Sequence, residues 1–243
     1  MKGRGDALGS ALELIFPGRC LLCGEWLLFR GSHAGGRKAS PPAPVCEECA
    51  SLLVPIEDRC CARCGMPLFS EEGTCIRCRR TEYAFESNRS VFEYRAVPRT
   101  LIMQLKFGGR RRLARLFADF LARMLNDSYP GLPVVPVPPR PGRRSRDAVE
   151  LIARRLERDH GIEILRLLRR IGGRQQKSLD FLERRDNLRG SIGPLRPTGK
   201  PQPREAVVLL DDVFTTGATA DACAREILLL GCRKVFVITL AID

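Results

Sequence analysis

The spacing of the cysteines is the feature that most constrains how this 243-residue chain can fold. The order C-x-x-C-G followed by a second C-x-x-C occurs twice, with 22 residues between the two pairs in the first copy and 10 in the second. Four thiolates complete a tetrahedral zinc shell without an open position, which is typical of a structural site. The sequence therefore predicts an internal repeat of a zinc ribbon.

The position of a glycine in each copy indicates how the cysteines pair. Gly24 and Gly65 directly follow the second cysteine of the leading pair. Glycine takes a positive φ without steric cost, so the amides of the turn can face the thiolate sulfurs. This detail favours pairing in chain order, with one structural Zn²⁺ in each copy. The predicted ligands are Cys20, Cys23, Cys46 and Cys49 for the first site, and Cys61, Cys64, Cys75 and Cys78 for the second.

These ribbons contain few large apolar residues and should depend on the metal, because structural zinc contributes about 10–16 kcal/mol of apparent binding energy in small peptides. Of the remaining cysteines, Cys60 is either an incidental neighbour of a ligand or a replacement for Cys61 in an alternative shell. Cys223 and Cys232 are expected to pack in the interior. His33, in a stretch rich in Gly, Ser and Pro, is not expected to be a ligand.

A second informative stretch runs from Val207 to Thr219. Four apolar residues predict a strand buried on both faces, and Asp211 and Asp212 are expected where that strand ends. Hydroxyls, a glycine and free N–H groups at the start of the next helix can bind an anion. The carboxylates suit sugar hydroxyls or a bridging Mg²⁺. Together these groups describe a pocket for a ribose 5-phosphate.

The remaining pattern alternates between strands and helices, which implies a parallel α/β sheet. We therefore predict a double zinc-ribbon domain over residues 1–82 and an α/β domain over residues 88–243. The predicted elements are an edge strand at 91–94, helices opening at Pro98 and Leu113, a buried strand from Val134, a helix capped by Asp147, a candidate strand at 163–168, and a final strand at 234–241.

The net charge of +13 favours an anionic partner: nucleic acid, a phosphorylated metabolite or anionic lipid. An arginine-rich proteome would give the same excess without a binding role. No apolar run approaches the roughly 20 residues of a membrane span, and no signal-peptide pattern is present, so we expect a cytoplasmic protein without membrane insertion. The candidates for neutralising phosphates, with a solvated basic face as the alternative, are Lys106, Arg140, Arg143 and Arg144.

The stretch from Val207 to Thr219 resembles the phosphoribosyl-pyrophosphate signature of type I phosphoribosyltransferases: an apolar strand, two acidic residues and a Thr/Gly loop. The resemblance implies that family's fold, a mostly parallel sheet flanked by helices. It also implies that Asp211 and Asp212 hold the ribose hydroxyls. The other implied contacts are Thr215, Thr216, Gly217, Ala218 and Thr219 around the 5-phosphate, and Pro138, Pro139 and Arg140 in the pyrophosphate loop.

Combined with an N-terminal double ribbon, this domain resembles the ComF family over nearly the full chain. Further matching segments are Leu105-Lys106-Phe107 with its glycines, Val135–Pro138, Gln176-x-x-Leu179 and Arg184–Gly190. The chain departs from the family at residues 144–148, Arg-Ser-Arg-Asp-Ala, where members usually carry a segment like Arg-Gly-Phe-Asn-Gln. The resemblance therefore bears on the ribose-phosphate contacts more directly than on the pyrophosphate contacts.

Three functions follow from this resemblance. The first is binding of phosphoribosyl pyrophosphate with Mg²⁺, as an active transferase or as a sensor. The second is handling of single-stranded DNA during DNA uptake, with the pocket kept for regulation. The third is docking of the ribbons to a competence helicase. A nucleophilic triad is not apparent, because the only histidines are His33 and His160.

Overall fold

The computed structural model describes residues 18–27, 43–57, 59–69, 72–140, 142, 145–171, 191–195 and 204–243. The chain divides into two compact units, Met1–Val54 and Pro55–Asp243. The first unit holds the first ribbon with helix α1 (Glu47–Ser51), and the second unit holds the second ribbon with helix α2 (Ile76–Arg79). Of the residues discussed above, His33, Arg143, Arg144 and the segments 176–179 and 184–190 lie outside the described residues.

Four parallel strands form the central sheet, in the order β1 (Asn88–Glu93), β6 (Lys234–Ile242), β5 (Ala206–Phe214) and β2 (Val134–Pro136). A single parallel bridge between Val134 and Ile164 adds one residue beside β2. The two middle strands are almost continuously apolar, as expected when helices cover both faces of a parallel sheet. The predicted mostly parallel α/β architecture is confirmed.

Among the described residues, four longer helices pack against this sheet, and their apolar stripes face it as predicted. The side chain of Asp147 caps α5 by accepting the N–H of Glu150 at 3.2 Å, and Gly161 ends that helix with a left-handed backbone. None of the described helices combines the length and apolar character needed to span a bilayer. The helices are α3 (Ala96–Lys106), α4 (Leu113–Ser128), α5 (Ala148–His160) and α6 (Ala218–Leu229).

Two sequence expectations differ from the structure. Within the candidate strand at 163–168, Ile164 forms only a bridge to β2. The chain then leaves the central sheet, and β3 (Leu168–Arg170) pairs antiparallel with β4 (Ile192–Pro194) in a separate two-stranded sheet. Strand β5 does not end at Asp211. It continues to Phe214, because β6 still pairs with it there and the Phe214 ring is buried.

The second ribbon shares one hydrophobic core with the sheet. Cys61 and Cys64 lie in the same buried cluster as Phe85, Leu209 and Phe214. A Cβ added to Gly65 would lie 2.6 Å from the carbonyl oxygen of Asn88, at the start of β1. This turn of the ribbon therefore rests directly against the first strand, and only glycine fits there.

We expect Leu209→Ala to lower the free energy of unfolding by about 2–5 kcal/mol, because it removes a side chain from the middle of the core. Leu209 is 0% exposed, whereas Leu229 is 80% exposed and provides a matched control in Leu229→Ala. Urea unfolding of the zinc-loaded protein, followed by circular dichroism, measures both changes. Equal losses in the two variants would contradict the position of β5 in the core.

Candidate functional site

The eight predicted ligands form two groups that pair in chain order, as the glycines indicated. Within each group the sulfur atoms all lie within 4.8 Å of one another. The sulfurs of Cys23 and Cys46 are 3.8 Å apart, and those of Cys64 and Cys75 are 3.7 Å apart. A tetrahedral shell with Zn–S bonds of about 2.3 Å requires sulfurs about 3.8 Å apart. Both groups therefore fit a structural Zn²⁺.

The internal repeat extends to the backbone of each ribbon. The φ angle is 79° at Gly24 and 73° at Gly65. In each copy the glycine N–H donates to the carbonyl of the first cysteine, at 3.0 and 2.9 Å. The sulfur of that first cysteine accepts the N–H of the third, at 3.4 Å in the first copy and 3.3 Å in the second.

The first cysteine of each copy has a lowered pKa, which favours metal binding. Burial opposes ionisation of the Cys20 and Cys61 thiols, but backbone N–H donors lower the pKa of Cys20 to about 6 and that of Cys61 to about 7. A thiol must lose its proton to coordinate zinc, so these donors favour metal binding. Cys60 lies outside the second group and donates to the carbonyl of Glu57 at 3.1 Å.

Asp211 and Asp212 lie on β5 beyond Leu210, the last residue that pairs with β2. The Nζ of Lys106, at the end of α3, is 2.8 Å from Oδ2 of Asp212. The N–H of Asp212 donates to Oδ1 of Asp211 at 2.8 Å. Burial raises the pKa of Asp211 to about 7, and the neighbouring Asp212 carboxylate acts in the same direction. The Asp211 carboxyl is therefore partly protonated near neutral pH.

Gly217 joins the loop after β5 to helix α6. Its φ is 76°, and a Cβ there would lie 2.7 Å from the ring of Phe214 and 2.9 Å from the ring of Tyr83. The side chain of Thr216 accepts the N–H of Ala218 at 3.3 Å, which tightens the turn. Both the conformation and the neighbouring rings require glycine at this position.

Two carbonyl groups of this loop are held from the side of the second ribbon. Thr215 accepts from Nη1 of Arg77 at 2.9 Å, and Thr216 accepts from the hydroxyl of Tyr83 at 3.1 Å. A trans peptide directs its C=O and the following N–H to opposite sides. The N–H groups of Thr216 and Gly217 therefore face away from the ribbon, and neither has a protein acceptor among the described residues. Beside a helix N-terminus, this arrangement can bind an anion.

The segment after β2 lies alongside the acidic pair. The N–H of Val137 donates to the carbonyl of Leu210 at 2.9 Å, after which Pro138 is buried and Arg140 exposed. Together with Lys106 and the loop, the predicted binding residues therefore converge on the carboxyl edge of the sheet, where open α/β sheets bind their ligands.

Two residues near this edge were missed by the sequence analysis. Arg170, on β3, donates from Nε to the carbonyl of Pro138 at 3.0 Å, and its charge acts to lower the pKa of Asp211. Burial raises the pKa of Asp147, and the carboxylate of Asp212 adds to that effect. No periodicity marks Arg170, because only the antiparallel pairing of β3 with β4 brings it here, and Asp147 was recognised only as a helix cap.

Comparisons with known proteins agree with this architecture. Residues 11–79 match the family model described as a double zinc ribbon domain. A solved structure, that of TT1426 from Thermus thermophilus, covers 54% of this chain and 83% of its own at 18% identity, with a TM-score of 0.31, which is too low to bear on the fold.

Relatives with competence names match almost the whole chain. Competence protein ComFC of Bacillus subtilis is 25% identical over 236 residues, 92% of each chain. Competence protein ComFC of Streptococcus pneumoniae is 25% identical over 89% of this chain and 96% of its own. Competence protein F of Haemophilus influenzae is 26% identical over 88% of this chain and 96% of its own. The chain is thus an α/β protein with an N-terminal double zinc ribbon. It is similar to the ComF competence proteins over nearly its whole length, which confirms the resemblance found in the sequence.

The raised pKa of Asp211 makes a prediction for stability. An unfolded chain releases this proton near pH 3.9, whereas the folded protein keeps it up to about pH 7. The contribution of protonated Asp211 to the free energy of unfolding is therefore complete below about pH 4 and is lost as the pH rises through about 7. As the pH rises from 5 to 8, the stability of Asp211→Asn relative to the wild-type protein should increase. We expect an increase of about 1–2 kcal/mol in the relative free energy of unfolding, after solvent screening.

Denaturant unfolding at the two pH values measures this difference, and the exposed Asp127→Asn is the matched control. A difference between Asp211→Asn and the unchanged protein that does not change with pH would contradict the raised pKa.

Proposed function

We propose that this chain is a ComF-like protein that binds phosphoribosyl pyrophosphate at the carboxyl edge of its sheet. Competence names on relatives that match about nine-tenths of the chain support a role in competence, the uptake of DNA. The ligand is inferred from the chemistry of the site and from the signature that its residues resemble. It is a property that none of the relatives' names states.

One observation carries this proposal. A single strand–loop–helix element presents two adjacent carboxylates and, in the loop that follows, N–H groups of Thr216 and Gly217 that face away from the second ribbon. Carboxylate oxygens accept from the 2- and 3-hydroxyls of ribose, and the loop with the α6 N-terminus receives the 5-phosphate. The contacts of the 5-phosphate extend over Thr215, Thr216, Gly217, Ala218 and Thr219.

The pyrophosphate would lie toward the segment that follows β2. Pro138 and Pro139 form the wall there, and Arg140 is exposed to meet an anion. Lys106 orients Asp212 across their 2.8 Å contact and supplies a second positive charge. Mg²⁺ prefers oxygen ligands and usually keeps several waters, so the pyrophosphate and ribose oxygens would provide most of its shell.

A transferase reaction at this site would require little from individual side chains. Departure of pyrophosphate leaves a positively charged sugar, which the adjacent Asp211 and Asp212 carboxylates would stabilise electrostatically. The loop and the carboxylate pair would hold the sugar in place for an incoming acceptor. We also infer a cytoplasmic location, because eight cysteines grouped as metal ligands are expected in a reducing compartment.

Calorimetry of the zinc-loaded protein tests this proposal directly. Phosphoribosyl pyrophosphate with Mg²⁺ should bind, and Asp211→Asn/Asp212→Asn should weaken binding at least tenfold, because hydrogen bonds from the ribose to charged acceptors are lost. Asp119→Asn/Asp127→Asn, at two carboxylates on α4, is the matched double control. An absence of binding by a folded protein with two zinc ions would refute the proposal, as would equal affinities for the two double variants.

A second candidate function, binding of single-stranded DNA, is favoured by one surface of the second unit. A shallow groove of about 550 Å³ runs along α3 and its C-terminal turn. Phe107 is 66% exposed there, and exposed arginines follow it at Arg110 and Arg111. Bases stack on exposed aromatic rings, while arginines contact the phosphate backbone. The groove is lined by Arg99, Thr100, Met103, Gln104, Phe107 and Gly108.

A fluorescent oligothymidine titration tests this second function. Affinity should fall steeply with salt, and Phe107→Ala should weaken binding about five- to tenfold at fixed salt, because one stacking platform is lost. Phe69→Ala removes a ring that is 87% exposed in the second ribbon and provides the control. Salt-independent affinity, or equal effects of the two variants, would argue against this surface.

A further inference from the structure

The second zinc ribbon contacts the loop to which the proposed function assigns the phosphate group. Arg77 lies on α2 between the ligands Cys75 and Cys78, and its Nη1 donates to the carbonyl oxygen of Thr215 at 2.9 Å. The same guanidinium interacts with the side chain of Cys64, a third ligand of that site. One arginine therefore joins the metal shell to the first residue of the loop.

A second connection runs through residues 83–86. Arg63, inside the turn of the second ribbon, donates to the carbonyls of Tyr83 and Glu86 at 3.0 and 2.9 Å. The Tyr83 hydroxyl donates to the carbonyl of Thr216 at 3.1 Å. Its ring stacks on Phe85 with centroids 4.7 Å apart, which fixes the direction of the hydroxyl.

The same segment also fixes the first turn of α6. The N–H of Ala84 donates to Oδ1 of Asp221 at 2.7 Å, and Nε of Arg225 donates to Oδ2 at 3.1 Å. Asp221 is buried, and its own N–H donates to the carbonyl of Gly217 at 2.8 Å. The loop is therefore held at both ends by contacts that begin at the ribbon.

We propose that Arg77 and Tyr83 are positioning residues for the phosphate-binding loop, and that the second zinc centre holds this loop in its ligand-binding conformation. Fixing the carbonyls of Thr215 and Thr216 sets the direction of the N–H groups that follow them. A loop ordered before binding loses less entropy when the ligand arrives. The identity of the ligand rests on the proposed function, whereas the order of the loop does not.

The test compares Arg77→Ala and Tyr83→Phe with the control Arg79→Ala. Arg79 is exposed on the same helix, and its Nε donates to Thr74 at 3.0 Å within the ribbon. Amide hydrogen exchange over residues 218–221 of the ligand-free, zinc-loaded protein reports the order of the loop. Exchange should be about tenfold faster in both test variants and unchanged in Arg79→Ala, because the supports of the turn are lost. The affinity for phosphoribosyl pyrophosphate with Mg²⁺ should fall about five- to tenfold.

The outcomes separate this inference from the proposed function. If the unchanged protein does not bind phosphoribosyl pyrophosphate, the proposed function fails, and exchange still decides whether the ribbon orders the loop. If Arg77→Ala loses zinc, Tyr83→Phe still tests whether the ribbon orders the loop, because this variant removes one hydroxyl and keeps the stacked ring. Exchange at the unchanged protein's rate in a variant that retains two zinc ions would overturn the inference.

Zinc affinity provides a reciprocal measurement. Coupling between two sites acts equally in both directions. Bound phosphoribosyl pyrophosphate should therefore raise the equilibrium affinity for one zinc ion about fivefold, as measured by competition with a chromophoric chelator. The effect should persist in Cys49→Ser, which removes a ligand of the first site, and should disappear in Arg77→Ala. Equal equilibrium zinc affinities with and without phosphoribosyl pyrophosphate, in protein that binds this ligand, would overturn the coupling.

Discussion

The long parallel pairing of β5 with β6 is the interaction on which the rest of the second unit depends. It runs from Ala206 opposite Lys234 to Phe214 opposite Ile242. Because β2 pairs with β5 only as far as Leu210, the rest of β5 projects past its neighbour on that side. The acidic pair lies on this projecting part, where a ligand can approach it. The position of the candidate site is thus a consequence of unequal strand lengths.

The second ribbon is part of the same construction. Its cysteines lie in a cluster with residues of β5 and α6, and its polar groups reach the loop between those two elements. A ribbon used only for docking would need none of these contacts. The burial of four metal ligands in the core of the sheet unit also explains why metal binding and folding of this unit should be linked.

Much of this arrangement could be predicted from the sequence, because it depends on local signals. The cysteine spacing and two glycines gave the correct ligand sets, and the apolar stripe of α4 gave a helix whose residues Phe117 and Leu121 are buried. The continuation of β5 could not be predicted in the same way. Two charged residues normally indicate the end of a buried strand, and only the pairing with β6 overrides that signal.

The long-range contacts that complete the site also could not be predicted from local sequence patterns. Arg77 meets a residue 138 positions away, and Arg170 meets one 32 positions earlier. No periodicity distinguishes these two arginines from the other basic residues of a chain with a net charge of +13. Their roles depend on which elements the topology brings together. The predicted binding roles of the loop and the acidic pair remain predictions for the experiments above.

The strand order has a consequence for how the protein is made. Because β1 pairs with β6, Asn88 meets its neighbour Val237 only after most of the remaining chain has left the ribosome. The second ribbon can take up its zinc early, but the apolar surface that it shares with the sheet stays uncovered until then. Such non-local pairing slows folding and leaves aggregation-prone apolar surface exposed during synthesis. The apolar surface shared by the second ribbon and the sheet is therefore complete only once β6 has been made and paired with β1.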